Sequence, residues 1–192
     1  MNTPAHLLIG AAVMGRKGNL TVVGAAMIGA LLPDLSLYLL AGSALYVFGI
    51  PPQIVFDELY FSEAWQTIFA IDNSFVVWGC LFALGLWRGV PWAVALTGAA
   101  LLHLCLDFPL HHDDGRAHFW PLSGWIFESP LSYWDRDHGA MWLAPIEAFL
   151  ATLAALALWQ RRFGWGMLML VTALLVMEIW VVRQWLFFFT DS

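Results

Sequence analysis

Leu101 to His118 reads LLHLCLDFPLHHDDGRAH, and the fold turns on how its two halves divide. The first half is the end of an apolar helix that presents His103 and Asp107. At Pro109 the chain breaks into a polar cluster of His111, His112, Asp113, Asp114 and His118. Four of the chain's six histidines fall in these eighteen residues. His103 and Asp107 stand four residues apart and share one helix face. Ala99 and Ala100 lie on that face one turn deeper, and small residues let helices approach closely in membranes. The His/Asp face is therefore expected to point into a helix bundle rather than toward lipid.

The rest of the chain supplies that bundle. Of 192 residues, 61% are hydrophobic and 11% charged, where a soluble domain carries about a quarter charged residues. Mean hydropathy is +0.74. Spanning a hydrocarbon core of ~30 Å takes about 20 helical residues, and several apolar runs reach that length. Twelve tryptophans suit aromatic belts at the membrane interfaces. The expectation is an all-α, polytopic transmembrane helical bundle, one integral membrane domain over 1–192, with five to six membrane-embedded helices. No basic stripe marks a nucleic-acid partner. Cys80 and Cys105 sit inside apolar runs and read as small buried residues rather than a disulfide. The N-terminus has no basic residue before its apolar run, so it is expected to stay in the bundle.

Thr3-Pro4 starts a first helix running to about Met14, short for a span. A second apolar segment covers Leu20 to about Phe48, with an interruption expected at Pro33-Asp34. Residues 53–71 alternate acids and aromatics as one amphipathic helix at the interface would. Asp72-Asn73-Ser74 caps a helix over Phe75 to Trp87, with Asp72 the expected N-cap if it is not a ligand. Spans follow over Trp92–Phe108, Met141–Trp159 and Trp165–Phe189. The long polar loop of 109–140 is rich in Phe, Trp and Tyr, which bury enough area to order it. Trp120, Trp125, Trp134 and Trp142 read as interface anchors, and Glu178 with Arg183 as a packing pair.

Charge sets the orientation. Arg16, Lys17, Arg88, Arg161 and Arg162, five of the eight basic residues, lie in connections on one side that hold no acid. By the positive-inside rule that side is cytoplasmic. The 109–140 loop then faces outward, toward the periplasm of a bacterial inner membrane. From Leu20 to Asp34 is ~21 Å of helix, which carries Asp34 to the outer half. His6, His103, Asp107 and Asp72 fall at the same level.

Imidazole and carboxylate together are the usual ligands of zinc or manganese. The expected divalent-metal ligands, zinc foremost, are His6, Asp34, His103, Asp107, His111 and His112. Asp72, Asp113 and Asp114 are spare carboxylates that could orient a ligand or act as a base. Ionisable groups inside a membrane are costly and mark function by default. The plainer alternative is a hydrogen-bonded His103/Asp107 pair that pins two helices, beneath a solvated loop. Arg116 could bind an anionic group, although exposed loop arginines are commoner.

The N-terminal histidine in TPAHLLIGAA, the LLPDL segment, and LLHLCLD followed by HFWPL resemble the YbcI/YdjM-type inner-membrane proteins described as membrane-bound metal-dependent hydrolases. The resemblance covers most of the chain, as a divergent member, and points to His6, Asp34, His103 and Asp107. The family carries a second acid where this chain has Ser36, and a histidine-rich motif where it has residues 70–74. His111, His112 and His118 are the candidates to replace those groups. The resemblance implies a metal-dependent hydrolase without a defined substrate; joined to the charge-derived orientation, the expectation is a site at the outer face of the membrane acting on a phosphoester or lipid-linked substrate. From a different class, the alternative is a non-catalytic membrane scaffold or small-ligand-binding protein. A proton-relay transporter through Asp34 and His103 is a third, against which the missing repeat symmetry counts.

Overall fold

The computed structural model describes the backbone of residues 1–191 and the side chains of 1–187. All regular elements among the described residues are helical: α1 (Thr3–Met14), α2 (Leu20–Gly42), α3 (Pro52–Ile54), α4 (Glu63–Asp72), α5 (Phe75–Arg88), α6 (Pro91–Asp107), α7 (Ala140–Gln160) and α8 (Trp165–Asp191). Five helical stretches are long and apolar enough to cross a membrane: Leu20–Val47, Glu63–Arg88, Pro91–Leu110, Ala140–Gln160 and Trp165–Phe187. The side chains they leave exposed include Leu39, Leu84, Met169 and Val176. An apolar outside of this kind is the surface of a bundle that meets hydrocarbon. Cys80 and Cys105 are unpaired and belong to that outside, not to the interior where they were expected.

Pro33 does not break α2, which continues through it. A proline removes one rung of the helix ladder and crowds the preceding turn. Neighbouring helices in a membrane bundle can absorb that loss. Here Asn73 Nδ2 donates to Pro33 O at 3.2 Å, and His103 Nδ1 bonds Ala30 O at 2.7 Å. The single amphipathic helix expected over 53–71 is instead split. A short helical turn passes into a π-turn over Val55–Leu59, and α4 begins afresh, capped by Ser62. Asp72 is the last residue of α4. The cap of α5 is Ser74, whose Oγ accepts from Val76 N and Val77 N at 3.1 Å each.

The most extensive packing joins α2 to α6. Ala26, Ala30, Ala95 and Ala99 are buried there beside Val22. Small side chains bring the backbones so close that a Cβ on Gly29 would lie 1.9 Å from Leu96 O. Helix α1 nests against α2, α6, α7 and α8. At twelve residues it is ~18 Å long and cannot cross the core. Its last carbonyls, which no helical N–H can reach, are taken by Arg161: Nη1 donates to Gly15 O at 2.8 Å and Nη2 to Ala12 O. Its first turn meets two buried acids, with Asn2 N donating to Glu147 and Asn2 Nδ2 to Glu178 Oε1 at 3.3 Å. Acids are favoured at that positive end of a helix. Glu178 therefore points inward, while Arg183 lies over the Phe187 ring at 5.1 Å. The two do not form the pair expected of them.

Gly29→Ala should force α2 and α6 apart. We expect a cost of about 1–3 kcal/mol, seen as a lower melting temperature of the detergent-solubilised protein. Gly24→Ala, where nothing lies within 4 Å of the added atom, is the control and should melt as the wild type does.

Candidate metal centre

Two helices, α1 and α6, bring His6, His103 and Asp107 together, each buried. Each offers a ligand atom, and these atoms all lie within 4.8 Å of one another. His6 comes from α1, anchored as described, and reaches Asp107 Oδ1 with Nε2 at 2.9 Å. The same oxygen accepts from the Met1 amino group at 2.6 Å. His103 Nε2 faces two carboxylates, Asp107 Oδ2 at 3.3 Å and Asp34 Oδ1 at 3.6 Å. The rings of His6 and His103 stack with centroids 3.7 Å apart at 14°. Two imidazolium ions would repel in that arrangement, so at most one of the rings is cationic.

The state of His103 follows from its partners. A carbonyl only accepts, so Nδ1 must carry the proton it gives Ala30 O. If the ring is neutral, Nε2 then presents a bare lone pair to two carboxylates. Nε2 is buried and has no hydrogen-bond partner among the described residues. Three electron-rich groups facing one another in a low-dielectric interior require a cation between them. That cation is either a proton on Nε2 or a metal ion. A histidine whose other nitrogen is tied to a backbone carbonyl is the usual form of a metal ligand. The donor set of His6, His103 and Asp107 therefore fits zinc, and Asp34 lies beside it, its Oδ1 3.6 Å from His103 Nε2.

His111 sits just above and is not a free ligand. Nδ1 bonds Asp114 Oδ2 at 2.8 Å, and Nε2 bonds Asp107 Oδ2 at 3.4 Å. Burial alone would lower its pKa, but the hydrogen bonds and charges of Asp107 and Asp114 outweigh it and raise the pKa to about 9. His111 is therefore an imidazolium at neutral pH. Asp114 also accepts from Trp134 Nε1 at 3.2 Å. Its carboxyl is held below the usual range, burial being outweighed by the bond from His111.

A cavity of about 290 Å³ lies beside the cluster, at the end of the bundle opposite the Arg16, Arg88 and Arg161 turns; Asp107 reaches its wall, whereas His6 and His103 are not among its lining residues. Asp34, Asp107, His111, Asp114, Arg116 and Tyr133 are in its wall. His118 lines it too, with Nδ1 donating to Asn73 O at 2.8 Å and the ring among Phe75 and Phe108. The 109–140 loop covers part of the cavity: it is bonded to itself by Ser129 N and Tyr133 N on the carbonyls of His111 and Leu110, and to the bundle by Phe75 N on His118 O and Ser74 Oγ on Trp120 O. Trp134 serves the site rather than the membrane interface.

Three candidates lie elsewhere. Asp72 is not in the cavity wall; its carbonyl accepts from Trp78 Nε1 at 2.6 Å. His112 bonds Ser129 O and stacks on His138 at 3.6 Å. Asp113 lines a separate depression with His112 and Glu128. The chain turns sharply after His111, so neighbours in sequence face opposite ways. Sequence reasoning overlooked Glu147, though a lone acid in an apolar span is itself a signal. It also placed Arg116 on the surface, and the structure buries it. No protein-family model, curated protein or solved structure matches the chain.

Because the folded pKa of His111 lies above its unfolded value near 6.5, the stabilisation is complete below that value. It is lost as pH rises through about 9. Wild type should therefore melt above His111→Gln by the widest margin in mildly acid buffer. The gap should close in alkaline buffer, with both measured in chelator.

Proposed function

We propose that the chain is a metal-dependent hydrolase of a bacterial inner membrane. Its site lies at the outer face, with the 109–140 loop on the periplasmic side, and its substrate is a phosphoester or lipid-linked ester. The observation that carries the reading is the orphaned Nε2 of buried His103, set between Asp34 and Asp107 and beside His6. His6, His103 and Asp107 would hold the ion, and Asp34 would complete the set. Bound there, a divalent ion supplies Lewis acidity and a water whose pKa falls to roughly 7.

The remaining roles belong to the side chains. Ala30 O fixes the His103 ring so that Nε2 faces the site. His111 carries a proton at neutral pH and is placed to give it to a leaving oxygen. Asp114 holds that imidazolium in position through Nδ1. The order and spacing of His6, Asp34, His103 and Asp107, together with the YbcI/YdjM-type resemblance, favour the same reading.

A second reading rests on the Met1 and His6 contacts that Asp107 already has. With His103 protonated, the cluster is a complete ion network without a metal. The cavity would then be that of a non-catalytic ligand-binding protein. Zinc titration of chelator-stripped protein separates the two. We expect one equivalent per chain, with protons released on binding. His103→Ala and Asp107→Ala should each lose it, whereas His112→Ala should keep it. A folded wild type that takes up no zinc, manganese or iron would end the hydrolase reading.

A further inference from the structure

The cavity has a gradient of polarity. Its depth holds Asp34, Asp107, His111, Asp114 and Arg116, whereas its rim holds Leu37 and Tyr38 of α2 with Met177 and Val181 of α8. Tyr38 is 48% exposed and Met177 54%, both on membrane-spanning helices. The rim lies where α1 starts: Met1, Asn2, Thr3 and Pro4 also line the cavity, and Thr3 Oγ1 bonds the Tyr38 hydroxyl. On the aqueous side the cavity is partly roofed by the loop that supplies His111, Asp114, Arg116 and Tyr133. Arg116 and Asp114 also line a depression on the loop side, whereas between α2 and α8 the cavity is flanked by apolar side chains of two membrane-spanning helices.

Arg116 states what is admitted. It is 9% exposed, and its guanidinium lies 4.8 Å from the centre of the Tyr60 ring and 4.5 Å from that of Phe69. The rings hold the cation by its faces, leaving its N–H edge to find acceptors. Nη1 is buried and has no partner among the described residues. Asp114, in the same wall, feels the Arg116 charge, but its Oδ2 bonds His111 and Trp134 and its Oδ1 is, like Nη1, without a hydrogen-bond partner among the described residues. A buried guanidinium without an anion is costly, and its planar fork matches phosphate or carboxylate.

We propose that this cavity takes an anionic membrane lipid, its headgroup on Arg116 and its hydrocarbon chain leaving between α2 and α8. This names the substrate class for the hydrolase reading above and relies on that reading only for the reaction. An amphiphile matches both ends of the gradient. A soluble anion would leave the apolar rim unexplained.

The test uses the full chain in phosphatidylcholine nanodiscs carrying traces of phosphatidic acid with a photoreactive group in its acyl chain. Phosphatidylcholine with the same group is the reference. Phosphatidic acid should label peptides containing Leu37, Tyr38, Met177 or Val181 in clear excess over the reference. Excess inorganic phosphate should leave that labelling in place. Arg116→Gln should cut the excess about tenfold or more, the loss expected when one partner of a buried charge pair is removed. Val181→Trp, which fills the rim without touching the arginine, should reduce labelling by both lipids. Equal labelling by the two lipids overturns the proposal, as does an excess that survives Arg116→Gln in folded protein. Labelling abolished by inorganic phosphate also overturns it, since the site would then belong to a soluble anion. Zinc uptake measured on the same discs reports separately on the hydrolase reading, so a failure of either is recognised as such.

Discussion

The hydrogen bond from His103 Nδ1 to Ala30 O holds the outer half of the molecule in register. It joins the two most closely packed helices at the point where Pro33 has taken a donor out of α2. The carbonyl that Pro33 leaves without its helical donor is Gly29 O; the bond to Ala30 O lies one residue further on, and inside a bundle it is stronger than in water. It also orients an imidazole, and through that ring it decides the chemistry of three other groups. Asp34, Asp107 and His6 are brought within reach of Nε2 because α2, α6 and α1 close on one another over glycine and alanine. Had the Gly29 and Gly10 positions carried larger side chains, the backbones would stand off and the cluster would come apart.

The second determinant is the length of α1. A full-length span in its place would fill the bundle and leave no cavity. A loose short helix would not hold His6. The structure meets both demands by fixing each end of α1 separately, with Arg161 on its final carbonyls and Glu147 and Glu178 at its first turn. The aromatic loop then covers part of the side that faces water.

Much of this is legible in the residues themselves. Long apolar runs mark the spans, and charge asymmetry marks which turns share an end. The i,i+4 spacing of His103 and Asp107, with alanines beneath, identifies an inward face. The level of Asp34 follows from helix rise alone. What is not legible is direction within irregular chain. His111 and His112 look alike in sequence, yet one bridges two carboxylates of the site and the other stacks on His138, because backbone torsions in the turn separate them. Arg116 reads as a surface residue because nothing local signals Tyr60 and Phe69, which approach from some fifty residues away. Pro33 reads as a break because sequence does not show that Asn73 and His103 serve the carbonyls around it. Asp72 reads as a cap although Ser74, two residues on, has the hydroxyl that reaches the α5 amides.

The anchoring of α1 sets an order for biogenesis. The groups that seat it, Arg161, Glu147 and Glu178, come from the last two helices, about 145 to 175 residues further along the chain. A nascent chain that has inserted α2 and α6 holds His103, Asp107 and Asp34 and can pack one side of α1, but it lacks the groups that take the last carbonyls and meet the first turn of that helix. The site therefore closes only when α7 and α8 have entered the bilayer. Until then the polar cluster stands open to lipid and translocation machinery, and a prematurely released chain carries no assembled centre.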